Sequence, residues 1–184
     1  MNQKMKRMLI AAAVGAATGS AIYAWSRPKY SGVKLKKSIM IDRSPADLYA
    51  FWRNVENLPR LTELLQSVEA LDDLRSRWTI TAPGEVPVQW VAEITKDIQG
   101  EMIGWRSIDG STVETAGYVR FEPIPRGTLV RVALEYGPPA GRAGAVLATL
   151  FGKRPGAHIE DLLRHFKQLM ETGETARAER RFAV

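Results

Sequence analysis

Between residues 67 and 137 the chain alternates apolar and polar side chains in six short runs: SVEALDD, SRWTITA, PVQWVAEITKD, EMIGWRSI, AGYVRFEPI and GTLVRVALEYG. An earlier run, VKLKKSIMI, occupies residues 33 to 41. Alternation with a period of two is the mark of a strand, because successive side chains point to opposite faces. Turn-forming groups separate the runs at Ala82-Pro83-Gly84, Gln99-Gly100, Asp109-Gly110 and Arg126-Gly127. Connections this short join antiparallel neighbours, so the segment predicts a meander. A long helical stretch follows, HIEDLLRHFKQLME, entered after Pro155-Gly156 and left near Gly173. Its stripe of Ile159, Leu162, Leu163, Phe166, Leu169 and Met170 has to be buried against the apolar face of the sheet.

Between the first strand and the meander lies DRSPADLYAFWRNVENLPRLTELL, residues 42 to 65. Ser44 suits a helix N-cap, Pro45 the first helical position, and Asp47 completes a capping box. Leu48, Phe51, Trp52 and Val55 then recur at helical spacing. Asn57 caps again and Pro59 restarts, so a second short helix is predicted with Leu61, Leu64 and Leu65 on its apolar face. The order is therefore strand, two short helices, six strands, long helix.

That order resembles the START-like helix-grip fold, an α+β arrangement in which a curved antiparallel sheet wraps a long C-terminal helix and two short helices close one end. At the level of residues, IDRSPADLYAFWRNVENLPRL, VQWVAEITKD, IGWRS, GYVRFEPIP, TLVRVALEYGPPAG and LFGKRPGAHIEDLLRHFKQLMETGE are similar to the bacterial polyketide cyclase/dehydrase-like branch of the SRPBCC superfamily, near its coenzyme Q-binding-type members. The resemblance spans roughly residues 33 to 174, and implies a domain at 33–173 that holds an apolar ligand between sheet and helix. It implies no particular reaction.

Alternation places Trp78, Trp90, Ile94, Ile103, Trp105, Val119, Phe121, Val132, Leu134 and Tyr136 on the face turned to the helix. With Leu162 and Phe166 of the helix these are the candidate ligand-binding residues, an aromatic wall that either lines a cavity or fills a core. Gln89, Glu93, Arg106, Tyr118, Arg120, Arg131 and Glu135 fall on the other face. They read as solvated cross-strand pairs, with recognition of an acidic head group by Arg106 as the alternative, which needs a register break to turn that side chain inward.

No catalytic residue, metal ligand or cofactor is assigned. The two histidines, His158 and His165, stand seven apart at the margin of the helix stripe, and Asp161 with His165 has the spacing of a helix-surface pair. Histidines so spaced are not the i, i+4 pair of a zincin helix, and no third ligand is indicated. LFGKRPG lacks the upstream glycine and following Ser/Thr of a phosphate-binding loop, and no Gly-x-Ser-x-Gly elbow is present. The absence of cysteine excludes thiolate nucleophiles, disulfides and zinc-thiolate sites. If the domain is an enzyme, an aromatase, cyclase or dehydratase acting on a polyketide-like substrate, then Tyr136, His158 and His165 are the groups able to move protons. Gly141-Arg142-Ala143-Gly144 reads as a turn or a cavity gate before a helix at AVLATLF.

The net charge of +6 is misleading as a nucleic-acid signal. Lys4, Lys6, Arg7, Arg27, Lys29, Lys34, Lys36 and Lys37 all precede the first acidic residue, Asp42, and the remainder carries 18 basic against 20 acidic side chains. A slightly acidic domain is a poor binder of phosphate backbones. The basic N-terminus 1–7 and the linker 26–32 flank an uncharged stretch at 8–25, MLIAAAVGAATGSAIYAW, which reads as a single transmembrane helix with Tyr23 and Trp25 at an interface. A cleaved signal peptide with export is the alternative. The larger basic cluster after the stretch favours a cytoplasmic domain. Ala11, Gly15 and Gly19 form a small-residue ridge along which two such helices could pair as a homodimer. The tail 174–184 is predicted to be flexible. The composite expectation is a membrane-tethered, non-enzymatic module for a hydrophobic small molecule or lipid, isoprenoid- or quinone-like, with the enzyme and a solid-cored structural or interaction protein as alternatives.

Overall fold

Seven strands run antiparallel in one sheet in the order β1-β7-β6-β5-β4-β3-β2. They are β1 (Val33–Ile41), β2 (Leu65–Ala70), β3 (Arg75–Ala82), β4 (Val86–Ile98), β5 (Met102–Ser107), β6 (Glu114–Pro123) and β7 (Thr128–Gly137). Among the described residues two α-helices accompany them, α1 (Pro45–Arg53) and α2 (Pro155–Thr172). The computed structural model describes residues 33–82, 86–137 and 155–173, all within the compact unit Gly32–Val184. Every predicted strand is present, with ends displaced by a few residues.

The meander follows from its turns. Gly100, Gly110 and Gly127 all have positive φ, the region where a missing Cβ costs nothing. The last of them, at 90°, closes the β6–β7 hairpin against the end of β1, and Thr128 Oγ1 beside it donates to the Arg43 carbonyl at 2.7 Å. The outer strand β1 pairs with β7 through its whole length, Val33 opposite Tyr136 and Ile41 opposite Thr128.

Helix α1 starts as its sequence demands, with the Asp47 amide donating to Ser44 Oγ and the Ser44 hydroxyl donating to the Asp47 carboxylate. The second short helix differs from expectation. It is a 3-10 helix, Val55–Arg60, with Pro59 inside it, and Leu65 already opens β2. Asn57 does not cap it; its side-chain amide reaches back to the Phe51 carbonyl at 3.1 Å and satisfies an acceptor at the end of α1. With the first turn committed to closing α1, too few residues remain before β2 for a full α-helix.

Helix α2 lies along β1 and runs in the same direction. Lys37 pairs with Glu160 near its start. Near its end Lys167 Nζ donates to the Met40 carbonyl at 2.7 Å and to Glu171 Oε1 at 2.8 Å, and Glu171 also accepts the Asp42 amide at 2.8 Å. Arg43 donates to the carbonyls of Met170 and Glu171 at 2.6 and 3.0 Å. Two orphan carbonyls of the helix C-terminus are thereby satisfied by one cation, the sign the helix dipole favours there.

The C-terminal half of α2 is packed solid. Phe166 meets Trp52 at 5.1 Å edge to face and Phe51 at 5.2 Å, and Trp52 and Tyr49 both meet Phe121. Val119, Phe121, Val130 and Leu163 complete this core. Curved sheet, long gripped helix and plugged end constitute the helix-grip, START-like fold.

Candidate functional site

Toward the other end of α2 the core gives way to a cavity of about 160 Å³. Its cause is a row of small side chains across the concave face. Ser76 lies opposite Ala92, Ala92 opposite Ser107, the Ser107 hydroxyl accepts the Thr115 amide at 3.0 Å, and Thr115 lies opposite Tyr136. Bulkier rows stand on both sides. On one, Trp78 and Trp90 are direct cross-strand partners, stacked at 5.9 Å with planes 21° apart. On the other, Ile94, Trp105, Gly117 and Leu134 are successive partners from β4 to β7. Short side chains between two tall ranks leave space that the helix, approaching with His158, Ile159 and Leu162, does not fill.

The cavity wall is almost wholly apolar. The indole nitrogen of Trp78 is spent on Ser76 Oγ at 2.9 Å, so this ring turns its π surface rather than an unpaired donor toward the space. The sheet-side residues Trp78, Trp90, Ile94, Ile103, Trp105, Val132, Leu134 and Tyr136 all line it, as does Leu162. Val119, Phe121 and Phe166, grouped with them in the sequence reading, lie in the closed core instead. The rings of α1 occupy the space that Phe121 and Phe166 would otherwise face.

Several lining residues escaped the sequence reading: Trp52, Leu58, Thr62, Ser76, Val113 and Thr115. Ser76 and Thr115 were detectable in principle, since each is an even number of residues from a strand position already placed on that face, Trp78 and Val119 respectively. Counting apolar residues overlooks them.

Of the three groups that the sequence offers for moving protons, Tyr136 and His158 line the cavity and His165 does not. Tyr136 is 6% exposed, and burial pushes its phenol above the usual tyrosine range. His165 Nδ1 lies 2.9 Å from the Leu61 carbonyl, an acceptor only, so Nδ1 carries the proton and the ring ties α2 to the chain after the 3-10 helix. Asp161 pairs with Arg164, not with His165 as its spacing suggested. One turn of helix brings either residue within reach, and the guanidinium is the stronger partner.

Arg106 stays on the outer face, 59% exposed at its side chain, with Nε 2.7 Å from Glu93. The inward swing needed for recognising a head group does not occur. A register break is present, but on β4 between Ile94 and Lys96. Beyond it Asp97 lies opposite Ile103 on the helix side, where it accepts from the Tyr49 hydroxyl and pairs with Arg53 Nε at 2.8 Å. Burial, and then the bond to Asp97, raise the Tyr49 phenol above its ordinary value. Arg53 also donates to the Asp73 carbonyl at 2.8 Å, so this cation at the cavity edge is held by two partners.

The predicted segment 8–25, its ridge of Ala11, Gly15 and Gly19, the linker 26–32, the loop Gly141 to Gly144 and the tail 174–184 lie outside the described residues. Among the described residues no helix is long and apolar enough to cross a membrane.

Comparison with known proteins bears on this site. The chain is 38% identical to the structure of DR_A0006 from Deinococcus radiodurans, with TM-score 0.63, covering 77% of this chain and 99% of that one. The Zhui aromatase/cyclase from a Streptomyces species shares the fold at TM-score 0.59 and 12% identity, over 78% of this chain and 99% of that one. A curated relative, an uncharacterized 17.2 kDa protein in the melC2-rnhH intergenic region of Streptomyces lincolnensis, is 28% identical over 91 residues, which is 50% of this chain and 59% of that protein. Residues 41–164 match the family described as polyketide cyclase / dehydrase and lipid transport, a span that takes in α1, the strands β2 to β7 and half of α2. The chain belongs to that family.

Proposed function

We propose that the domain is a non-enzymatic binding module that holds a hydrophobic small molecule or lipid in the cavity between the sheet and α2. The observation that carries this reading is the nearly unbroken apolar wall around unfilled space between sheet and helix. An empty apolar cavity costs stability, on the order of 24 cal/mol per Å³ by mutational series, so an occupant that restores the lost contacts is favoured. The stretch at 8–25, read as a membrane anchor, would keep the cavity near a lipid reservoir at high effective concentration. Native mass spectrometry with organic extraction of the full-length chain tests the reading. A stoichiometric apolar molecule is expected, and a chain that neither retains nor takes up any apolar molecule rejects it.

A second reading, a cyclase or dehydratase acting on a polyketide-like substrate, is favoured by Tyr136 and His158 meeting at one cavity. Its phenol held protonated by burial, Tyr136 would serve as donor, with His158 as acceptor. Turnover that falls at least about a hundredfold in both Tyr136→Phe and His158→Gln supports it, the lower end of the usual range for general acid–base groups. Unchanged turnover in both variants removes these assignments.

A further inference from the structure

We infer that the cavity accepts one six-membered aromatic ring, a neutral monocyclic arene or phenol, and excludes fused two- and three-ring systems. This rests on the binding-module reading and gives its ligand a size and a chemistry. The volume, about 160 Å³, is close to the roughly 150 Å³ of an engineered apolar cavity that binds benzene. It is about half the lower end of the roughly 300–1,000 Å³ typical of sites for drug-sized ligands.

Shape points the same way as size. The small row of Ser76, Ala92 and Thr115 forms a floor, and the indoles on either side form walls, Trp78 stacked on Trp90 at one and Trp105 at the other. A flat ring standing on this floor presents its face or its edge to indoles on both sides, the arrangements in which aromatic quadrupoles attract. The walls are stiff. Trp105 is backed by Gly117, where a Cβ would approach its ring to 2.7 Å, and Trp78 is fixed through its nitrogen to Ser76. A second fused ring must therefore displace packed indoles or Leu134, which continues the Trp105 row.

Polarity narrows the class further. The Ser76 hydroxyl already accepts from Trp78, and the Ser107 hydroxyl from the Thr115 amide. A ligand with several polar substituents would bury most of them against the apolar wall, where each unpaired group weakens binding. A single hydroxyl is tolerated at the end where Thr115 and Tyr136 face each other across β6 and β7.

Isothermal titration of the full-length chain with 4-ethylphenol, 2-naphthol and 2-hydroxyanthracene tests the size limit at constant substituent. The site is read separately from the indole N–H signals, because Trp52, Trp78, Trp90 and Trp105 line the cavity while Trp25 lies in the N-terminal stretch. 4-Ethylphenol is expected to bind at least about tenfold more tightly than 2-naphthol, to shift the Trp78, Trp90 and Trp105 signals and to leave that of Trp25 in place. The Leu134→Ala variant is expected to admit 2-naphthol and to reduce or reverse the preference. If the wild type binds 2-naphthol or 2-hydroxyanthracene as tightly as 4-ethylphenol with the same indole shifts, the size limit is wrong and the binding-module reading stands. If the three phenols fail but an apolar chain such as decanol binds with those shifts, the aromatic assignment alone falls. If no probe of any size binds, both fall. The wild-type series decides the matter even if Leu134→Ala does not fold.

Discussion

Gly117 and Trp105 face each other across β5 and β6 so closely that a Cβ on Gly117 would lie 2.7 Å from the indole of Trp105 and 2.5 Å from the backbone carbonyl of Ala133. The glycine is what lets the indole lie flat across the next strand and become a cavity wall. Glycine inside a strand otherwise weakens it, and a close approach of this kind is the recognised reason for finding one there.

Gly117→Ala is therefore expected to destabilise the domain by about 1–3 kcal/mol, the range for overpacking a well-filled site. Adding Trp105→Phe should recover only part of the loss, because the contact with the Ala133 carbonyl remains. Urea denaturation of the wild type, the single variant and the double variant checks this through the midpoint at constant slope. Full recovery in the double variant would mean that the carbonyl contact is relieved by a small strand shift.

A second glycine carries a different constraint. Gly127 has φ of 90°, and a Cβ there would lie 2.2 Å from the Ile41 carbonyl. Both the backbone conformation and the space forbid a side chain, so Gly127→Ala should cost at least about 2 kcal/mol, combining the left-handed penalty with overpacking. Gly100→Ala has the same sign of φ but open space around it, and should cost only about 1 kcal/mol. Thermal melts of the two variants separate the conformational part from the steric part, and equal shifts would contradict the packing of the β6–β7 turn against β1.

The sequence exposed the faces of the strands well, because alternation is a local property and Trp78, Trp90, Trp105 and Leu134 each obey it within their own strand. The cavity was not legible in the same way. It depends on Ser76, Ala92, Ser107 and Thr115 falling into one row, and that register passes through four strands, one of them carrying the β-bulge at Ile94/Lys96. The bulge also turns Asp97 to the helix side, where simple alternation would send it outward. Phe166 was misplaced for a related reason. Its stripe is correct, but whether a stripe residue meets space or a ring depends on where α1 lies, and nothing in the spacing of α2 encodes that. The overlong second helix came from reading Leu61, Leu64 and Leu65 as one face, when Leu61 is fully buried beneath the 3-10 turn and Leu65 belongs to a strand.

The hold of α2 on β1 should depend on pH through Glu171. The Asp42 amide, and then the Lys167 ammonium, favour the charged carboxylate and hold its pKa below the ordinary value of 4.5. A carboxyl with a depressed folded-state pKa adds stability that is fully present above the unfolded value and is lost as pH falls through the folded one. Glu171 is partly exposed, so the screened contribution is on the order of 0.5–1 kcal/mol. Glu160, lowered by its bond to Lys37, has the same sign, so both ends of the helix loosen together on acidification. Glu171→Gln should thus be less stable than wild type at neutral pH, and the difference should shrink as pH falls below about 4.5. Denaturant titrations between neutral and acid pH measure it, and a difference that stays constant over that range would show that Glu171 acts through packing rather than charge. Because the solid half of α2 is anchored by Arg43, Lys167 and Glu171, the variant should also raise amide exchange in the last turns of the helix while leaving the indole signals of Trp78 and Trp90 unmoved.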